Sequence, residues 1–373
     1  MKKKWLFMLM AVCTLLILTA CGGGDVESSG DASEFEEQKF RLNAGLSSED
    51  NNTAAFTIPW MEEVEEKTGG QITFDAFFSE ELVSMGEEVR ALQDGTIDIA
   101  APVLPTYNPD QFPLSDVVML PLVHSDSKIA AKAFADLIKS DEELQGGKTF
   151  TDIEYGSHGM KALPVQPVAE YTVGFVSNDK IQSAADLKGL SLRTGGRAHE
   201  IFVSQLGSGS VSMPWSEEFE ALSRGAIDGN VRSVQDYAAY GFDEMITQSL
   251  DGISIGHFPF IWLMDEDKWD ELPEDLQQIM EESAYDLAES EFKNEAQIEA
   301  VEDAKEKGID FVDVGELDED AQELLETASL NTWQEWIDSK EKEGYPGLEA
   351  ALLWRDLIVE NGGEVYDAIL ELE

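Results

Sequence analysis

Four of the seven arginines in this chain fall between Arg193 and Arg232, although the chain carries 76 acidic side chains against 25 basic ones. Arg193 closes a short apolar strand in the stretch DLKGLSLRTGG, residues 186–196, just before a threonine and two glycines. A planar guanidinium group at a strand end can hold a carboxylate through two parallel hydrogen bonds. An ion pair with one of the many acidic side chains is the alternative, and these residues alone leave both readings open.

Other patterns that could support catalysis or metal binding are weak. The four histidines are scattered and lie at no metal-ligand spacing, so we expect neither a metal site nor a cofactor. GISIG, residues 252–256, fits the G-x-S-x-G pattern around Ser254. A nucleophile elbow needs a helix after the serine, whereas the extended sequence HFPFIWL follows. We therefore predict that the chain is not an enzyme.

The formal charge of −51 limits the possible partners. Phosphates would be repelled, so the composition excludes nucleic acid and disfavours an anionic membrane surface. The acidic side chains are best interpreted as a solvated coat, which suits a salt-rich exterior where self-repulsion is screened. A hydrophobic content of 43% over 373 residues still allows one or two sizeable cores.

The N-terminus has the layout of an export signal. Three lysines precede an apolar run and small residues, and residues 1–20 are predicted to be a lipoprotein signal peptide. Leu-Thr-Ala-Cys, ending at Cys21, resembles the bacterial lipobox, which predicts lipidation of Cys21 and an exported protein on the outer face of the cytoplasmic membrane. Residues 21–38 are rich in Gly, Ser and acid and predict a flexible tether. The alternative is an uncleaved anchor.

Strands and helices alternate in two blocks, one beginning near Phe40 and the other near Tyr171. This rhythm predicts an α/β fold with two lobes. Lobe I is assigned residues 39–165 plus about 255–300, and lobe II about 166–254 plus about 301–373.

Residues 273–307 predict one unbroken helix linking the lobes. The segment has no Pro or Gly after Pro273, and apolar residues recur in it at helical spacing as far as Phe292 and Ala296. Such a helix would be roughly 50 Å long, which exceeds the usual diameter of one lobe.

A series of short motifs carries a family resemblance. DLKG-x-x-x-R is followed by Met-Pro, then by AL-x-x-G-x-x-DG, and later by LPEDLQQIM. With EEVEEKTGGQITFDAFF and FPLSDVVMLPLV before it, this series resembles the DctP-type substrate-binding proteins of tripartite ATP-independent periplasmic (TRAP) transporters over about residues 40–300. The resemblance implies a periplasmic-binding-protein-like fold with a long helix bridging two lobes. It also implies closure on a small organic acid and delivery to membrane permease subunits driven by an ion gradient.

The resemblance places the ligand carboxylate on Arg193. No arginine precedes the strand YTVGFVS, where sialic-acid-type members carry one, and this departure favours a smaller or more apolar acid. Strand alternation puts Asn230 and Arg232 on one face, where either could reach the ligand. For Trp215, Phe258, Phe260 and Trp262, core packing and a role in the cleft wall both remain open. The predicted ligand-binding residues are Arg193, Asn230, Arg232, Trp215, Gln166, Tyr171 and Phe260.

Three other functions remain open at this stage. A binding protein for an ATP-driven importer would share the signal, the tether and the two lobes. A secreted hydrolase would need Ser254 as its nucleophile. A sensor or adhesion protein could use the same fold, because fold does not fix function.

Overall fold

The computed structural model describes residues 37–165, 167, 169–177, 179–213 and 215–373. The signal peptide, Cys21 and nearly all of the tether lie outside these residues, as does Gln166. Residues 36–373 form one compact unit that contains two β-sheets. In the described part of the chain, no helix is both long and apolar enough to cross a membrane.

The first sheet has five strands in the order β2-β1-β3-β10-β4. Its core is parallel, because β1 pairs in parallel with both β2 and β3. Strand β10 returns from much later in the chain and runs antiparallel between β3 and β4. The strands are β1 Gln38–Asn43, β2 Ile72–Phe77, β3 Ile99–Val103, β4 Met160–Pro164 and β10 Ile261–Asp265.

The second sheet has six strands in the order β11-β9-β5-β8-β6-β7. Strand β6 pairs in parallel with β7 and β8, whereas β5 runs antiparallel to β8 and β9. The predicted two-lobe α/β architecture is therefore present, with a separate sheet in each half. The strands are β5 Thr172–Phe175, β6 Ser191–Thr194, β7 Gly209–Ser212, β8 Gly229–Arg232, β9 Gln248–Asp251 and β11 Asp310–Asp313.

Helices cover both sheets. The α-helices are α1 Ile58–Lys67, α2 Glu88–Gln93, α3 Ser127–Lys139, α4 Phe150–Glu154, α5 Arg197–Gln205, α6 Trp215–Ser223, α7 Tyr237–Tyr240, α8 Glu266–Asp270, α9 Glu274–Ala288, α10 Phe292–Glu306, α11 Glu319–Glu343, α12 Gly347–Glu360 and α13 Asp367–Leu370. A five-residue π-helix at Thr53–Thr57 leads directly into α1, and Pro59 lies in the first turn of α1.

The predicted unbroken helix over 273–307 is wrong in one respect, because α9 and α10 are separate helices with a break at Glu289–Glu291. Helix α9 packs on α1 and β4 of the first sheet, and α10 packs on α7 and the preceding turn beside the second sheet. The segment still connects the two halves. The break changes the helical phase, so the buried face of α10 carries Lys293 and Gln297 while Phe292 is exposed.

Two further segments contain little regular structure. Of residues 81–95, only Glu88–Gln93 is helical, since bends and turns occupy the residues before it. The apolar stretch 252–260 does not pair as a β-strand, apart from an isolated bridge between Ser254 and Leu122. Strand β10 begins directly after this stretch, at Ile261.

The C-terminal helices join both halves. Helix α11 packs along α5, and α12 packs on α3. Two buried indoles of α11 bond to the first half, Trp333 to the Pro121 carbonyl at 2.7 Å and Trp336 to the Asp116 carboxylate at 2.9 Å. This end of the chain therefore ties the sheets together at a second place, apart from α9 and α10.

Candidate ligand-binding site

The carboxylate of Glu218 lies at the centre of a buried charge network beside the second sheet. Glu218 is in the first turn of α6 and is fully buried. Its Oε1 accepts a hydrogen bond from Asn230 at 2.6 Å, and its Oε2 accepts one from Arg232 at 2.8 Å. Arg193 forms a longer ion pair with it, with Nε 3.4 Å from Oε2. Three of the residues predicted to bind a ligand carboxylate thus converge on one internal carboxylate.

The parallel pairing of β6 with β8 explains this convergence. Arg193 lies opposite Asn230 in the register of these strands. Arg232 follows Asn230 by two residues, so both side chains lie on the same face, as strand alternation predicts. The first turn of α6 then brings Glu218 over that face.

Arg232 is held more firmly than Arg193. Its Nε lies 3.1 Å from the Asp236 carboxylate, in addition to the bond with Glu218. Its guanidinium also lies over the rings of Tyr240 and Phe242, at 4.8 and 5.2 Å. Burial alone would lower the pKa of Arg232, but the carboxylates of Asp236 and Glu218 raise it above its ordinary value. Arg232 is therefore a permanently charged group held by two carboxylates.

Arg193 is buried but has fewer partners. Its Nε and Nη2 both donate to the Met213 carbonyl, at 3.2 and 3.1 Å. Its Nη1 lies so close to Gly195 that a Cβ there would be 3.1 Å away. Gly195 therefore lets the backbone pass directly over the guanidinium group. The hold on Arg193 consists of one carbonyl oxygen and the long contact with Glu218.

Aromatic rings lie beside the arginines. Tyr171 stacks on His199 at 5.1 Å and on Phe258 at 6.0 Å. Phe258 also meets Phe260 and Tyr107 edge-on. Burial lowers the pKa of His199 to about 3, and the charge of Arg193 adds to this effect, so His199 is neutral at pH 7. These rings form an apolar wall rather than a proton-transfer chain.

Lys293 adds a third basic group that the sequence did not single out. The break before α10 turns it inward, where its Nζ lies 5.0 Å from the Phe260 ring centre and 5.3 Å from that of Phe56. Burial lowers the pKa of Lys293 to about 7, although Asp236 and Asp50 oppose that shift. Its charge is therefore only partly developed near neutral pH.

A cavity of about 770 Å³ opens between the two halves. Its wall includes Tyr107 beyond β3, Gly195 beyond β6 and Met213 beyond β7, so it lies at the carboxyl ends of these strands, where α/β folds commonly bind ligands. Because Gly195 and Met213 also contact the Arg193 guanidinium, Arg193 lies directly behind this wall. Trp215 lines the cavity as well, with its ring 5.2 Å from Tyr240.

Among the charged residues that line this cavity, acids outnumber bases. Arg197 pairs with Glu200 at 3.5 Å, and Lys340 pairs with Asp116 at 3.3 Å. Three further acids line the cavity: Glu80, Asp110 and Glu343. A ligand that enters here thus passes more carboxylates than basic groups.

The remaining predicted residues have different surroundings. Gln166 and Cys21 lie outside the described residues. Trp262 packs against Trp60, with ring centres 4.9 Å apart, in the core of the first sheet. Ser254 is buried and is followed by extended chain rather than by a helix, so it lacks the geometry of a nucleophile elbow. In the described part of the chain, no group of His, Cys, Asp and Glu residues could hold a metal ion.

Glu218, Asp236 and Lys293 belong to the site but were missed by sequence reasoning. Glu218 is one of 76 acidic residues, and nothing in its local sequence separates it from its exposed neighbour Glu217. Asp236 offers a weak signal, because it follows Arg232 by four residues. Lys293 could be predicted as a buried residue only if the break between α9 and α10 were known, because that break decides which face of α10 is buried.

Comparison with known proteins identifies the relatives of this chain. The family named bacterial extracellular solute-binding protein, family 7 (DctP), matches residues 43–340. A solute-binding protein of Verminephrobacter eiseniae is 25% identical over 296 residues, covering 76% of this chain and 81% of the relative. The C4-dicarboxylate-binding periplasmic protein DctP of Rhodobacter capsulatus is 24% identical over 254 residues, covering 65% of this chain and 72% of the relative.

Solved structures share the fold. A TRAP periplasmic solute-binding protein from Desulfovibrio salexigens, described as an open complex, has a TM-score of 0.73 at 22% identity. The match covers 90% of this chain and 100% of the Desulfovibrio chain. A marine metagenome TRAP solute-binding protein specific for aromatic acid ligands, in complex with metahydroxyphenylacetate, has a TM-score of 0.74 at 22% identity. The coverage there is 87% of this chain and 99% of the other.

Proposed function

The chain belongs to family 7 of the bacterial extracellular solute-binding proteins, the DctP family of TRAP transport, and from this we propose that it captures an organic acid through Arg193. The ligand carboxylate binds the Arg193 guanidinium at the wall of the 770 Å³ cavity. The loaded protein then delivers its ligand to TRAP permease subunits driven by an ion gradient. The family and fold are those of transport solute-binding proteins, which are not enzymes, and this disfavours a secreted hydrolase.

The observation that carries this proposal is the unequal hold on the two buried arginines. Arg232 is bound by two carboxylates at 2.8 and 3.1 Å. Arg193 has one carboxylate at 3.4 Å and one carbonyl oxygen. Turning the Arg193 guanidinium toward a ligand therefore breaks weaker contacts, while Arg232 and Asn230 stay with Glu218. A charge-assisted bond of this kind contributes roughly 1.5 to 3 kcal/mol.

The rings beside Arg193 support an aromatic or apolar acid. The Phe258 ring lies with the Arg193 guanidinium beside Gly195, Tyr171 and Phe260 pack against Phe258, and Trp215 offers an aromatic face at the cavity wall. Such faces stack favourably on another ring. The structurally similar marine metagenome protein, which is specific for aromatic acid ligands, fits the same chemistry. Gln166 is proposed as a further ligand contact. Asn230 and Arg232, which the sequence predicted as contacts, are proposed instead to stay bonded to Glu218 and support the site.

The location of the protein is proposed from its N-terminus. Lipidation of Cys21 would anchor it on the outer face of the cytoplasmic membrane, with residues 21–38 as the tether. Lobe I, residues 39–165 plus about 255–300, would close on lobe II, about 166–254 plus about 301–373. Changing Cys21 to alanine should move the protein from the membrane fraction to the soluble fraction, and unchanged membrane retention would contradict the lipid anchor.

The carboxylate proposal can be tested by thermal unfolding with matched ligands. The purified protein is heated with benzoate, mandelate, pyruvate and succinate, and in parallel with the corresponding amides. A carboxylate at about a thousand times its Kd should add roughly 4 kcal/mol to the free energy of unfolding, and the amides should add none. Arg193→Lys keeps the charge but loses the planar fork, so it should lose most of this response.

Arg224→Lys is the matched control, because Arg224 is exposed just beyond α6 and pairs with Glu220 four residues earlier. It should respond as the unchanged protein does. Equal stabilisation by acids and amides would contradict carboxylate capture. An Arg193→Lys variant that keeps the full response would contradict the role of Arg193.

A further inference from the structure

The buried network is close to electrically neutral before any ligand arrives. The guanidinium groups of Arg193 and Arg232 face the carboxylates of Glu218 and Asp236, so these four formal charges cancel. Lys293 supplies the only other basic group within this cluster among the described residues, and it lies near Asp236 and Asp50. The positive charges of the network are thus matched by carboxylates of the protein before a ligand binds.

The route to the network carries negative charge. Glu80, Asp110 and Glu343 line the cavity in addition to the acids that pair with Arg197 and Lys340. A second carboxylate on a ligand would face these groups in a partly desolvated space, where like charges repel more strongly than in water. The acidic groups of the cavity wall therefore also disfavour a ligand with a second carboxylate.

From this geometry we infer that Glu218 sets the ligand charge: it compensates Arg232 from within the protein, so the site accepts an acid with one carboxylate and rejects dicarboxylates. This inference rests on the proposed function. Glu218 is a specificity-determining residue that acts through Arg232 and Asn230, to which it bonds at 2.8 and 2.6 Å. The ligand does not have to displace it.

A zwitterionic ligand fits the network less well. Both carboxylates of the network already form ion pairs with Arg232, at 2.8 and 3.1 Å. A ligand ammonium group placed beside the arginines would be repelled by their positive charges. The single carboxylate with an apolar body is the chemistry that the surroundings of Arg193 match.

The test uses pairs of ligands that differ by one charge and little in shape. Terephthalate is compared with 4-carbamoylbenzoate, and succinate with succinamate, by calorimetric titration of the purified protein at pH 7.5. The unchanged protein should bind the monoanion of each pair at least about tenfold more tightly, a difference of about 1.4 kcal/mol. Glu218→Gln frees one positive charge and should remove or reverse this preference.

Two further variants separate charge from folding. Glu217→Gln alters the exposed neighbour and should leave the preference unchanged. The double variant Glu218→Gln, Arg232→Gln restores the formal charge balance and should restore the preference for the monoanion. Thermal unfolding of each variant confirms that it is folded at the temperature of titration.

The outcomes distinguish the two proposals. If no member of either pair binds the unchanged protein, carboxylate capture fails, and the inference about Glu218 fails with it. If carboxylates bind but Glu218→Gln keeps the same preference as the unchanged protein, only the inference about Glu218 is overturned. A preference for dicarboxylates in the unchanged protein would overturn it too.

Discussion

Two buried charge clusters in this molecule differ in how fully their groups are matched. In the first, Asp116 bonds to Lys340 and the Trp336 indole, and the nearby Glu154 accepts from the Ser115 hydroxyl and the Leu114 amide. In the second, Glu218 holds Asn230 and Arg232 closely, at 2.6 and 2.8 Å, and Arg193 is the donor left at 3.4 Å. The matched cluster joins α11 to the 114–121 segment, whereas the unequal cluster leaves a guanidinium group for a ligand.

The comparison teaches that burial of charge does not by itself mark a binding site. A pair whose members satisfy each other stabilises one arrangement of the chain. A network with a surplus donor beside a cavity can exchange partners. The predictions below alter each cluster in turn, and the expected effects become smaller from one to the next.

Removing Lys340 should have the largest effect, and on stability rather than on binding. Lys340→Met leaves the buried Asp116 carboxylate without its ion-pair partner, which should lower the free energy of unfolding by about 3 to 5 kcal/mol. Urea unfolding measures this loss. Lys342→Met, on the same helix but exposed, should cost less than about 0.5 kcal/mol. Equal losses in the two variants would contradict a structural role for the Asp116–Lys340 pair.

Removing a ring from the second cluster should affect binding moderately. Phe258→Leu takes away the ring that stacks on Tyr171 and lies beside Arg193. Loss of one aromatic contact should weaken the binding of an aromatic monocarboxylate by about 0.5 to 1.5 kcal/mol. The binding of an aliphatic monocarboxylate should weaken by less. Calorimetry with benzoate and with butyrate compares the two. An equal loss for both ligands would argue against a ring-stacking wall.

The sequence predicted the strand side of the site well and the helix side poorly. Arg193 at the end of β6, and Asn230 with Arg232 on one face of β8, follow from short apolar runs and strand alternation. Glu218 could not be predicted, because its burial depends on how α6 packs and its sequence resembles that of many exposed acids. Lys293 depends on the break at Glu289–Glu291, where no proline or glycine announces the end of a helix.

The matched cluster should also give stability a dependence on pH. Burial raises the pKa of Glu154 to about 8, against 4.5 for the ordinary carboxyl, although the bonds from Ser115 and Leu114 oppose the shift. The unfolded chain therefore releases this proton at lower pH than the folded one, so the contribution of Glu154 to stability falls as pH rises from about 4.5 to about 8.

Glu154→Gln keeps the shape of the side chain and cannot ionise. Its stability relative to the unchanged protein should be similar or lower at pH 5 and should improve steadily toward pH 8. Urea unfolding of both proteins across this range measures the difference. A difference that does not change with pH would contradict a protonated Glu154 in the folded protein.

The smallest effect is expected at Arg224. Its ion pair with Glu220, four residues earlier and at 3.0 Å, is largely exposed, and such pairs contribute about 0.2 to 1 kcal/mol. Arg224→Ala should change neither unfolding nor carboxylate binding beyond that amount. A large loss of binding would place the ligand near α6 rather than at Arg193.

The division of work between the two arginines is the central claim, and a crystal structure of the protein with a bound monocarboxylate tests it most directly. We predict that the ligand carboxylate lies within hydrogen-bond distance of the Arg193 guanidinium, while Glu218 remains bonded to Arg232 and Asn230. A ligand carboxylate on Arg232 with Glu218 displaced, or a ligand that does not contact Arg193, would contradict the account.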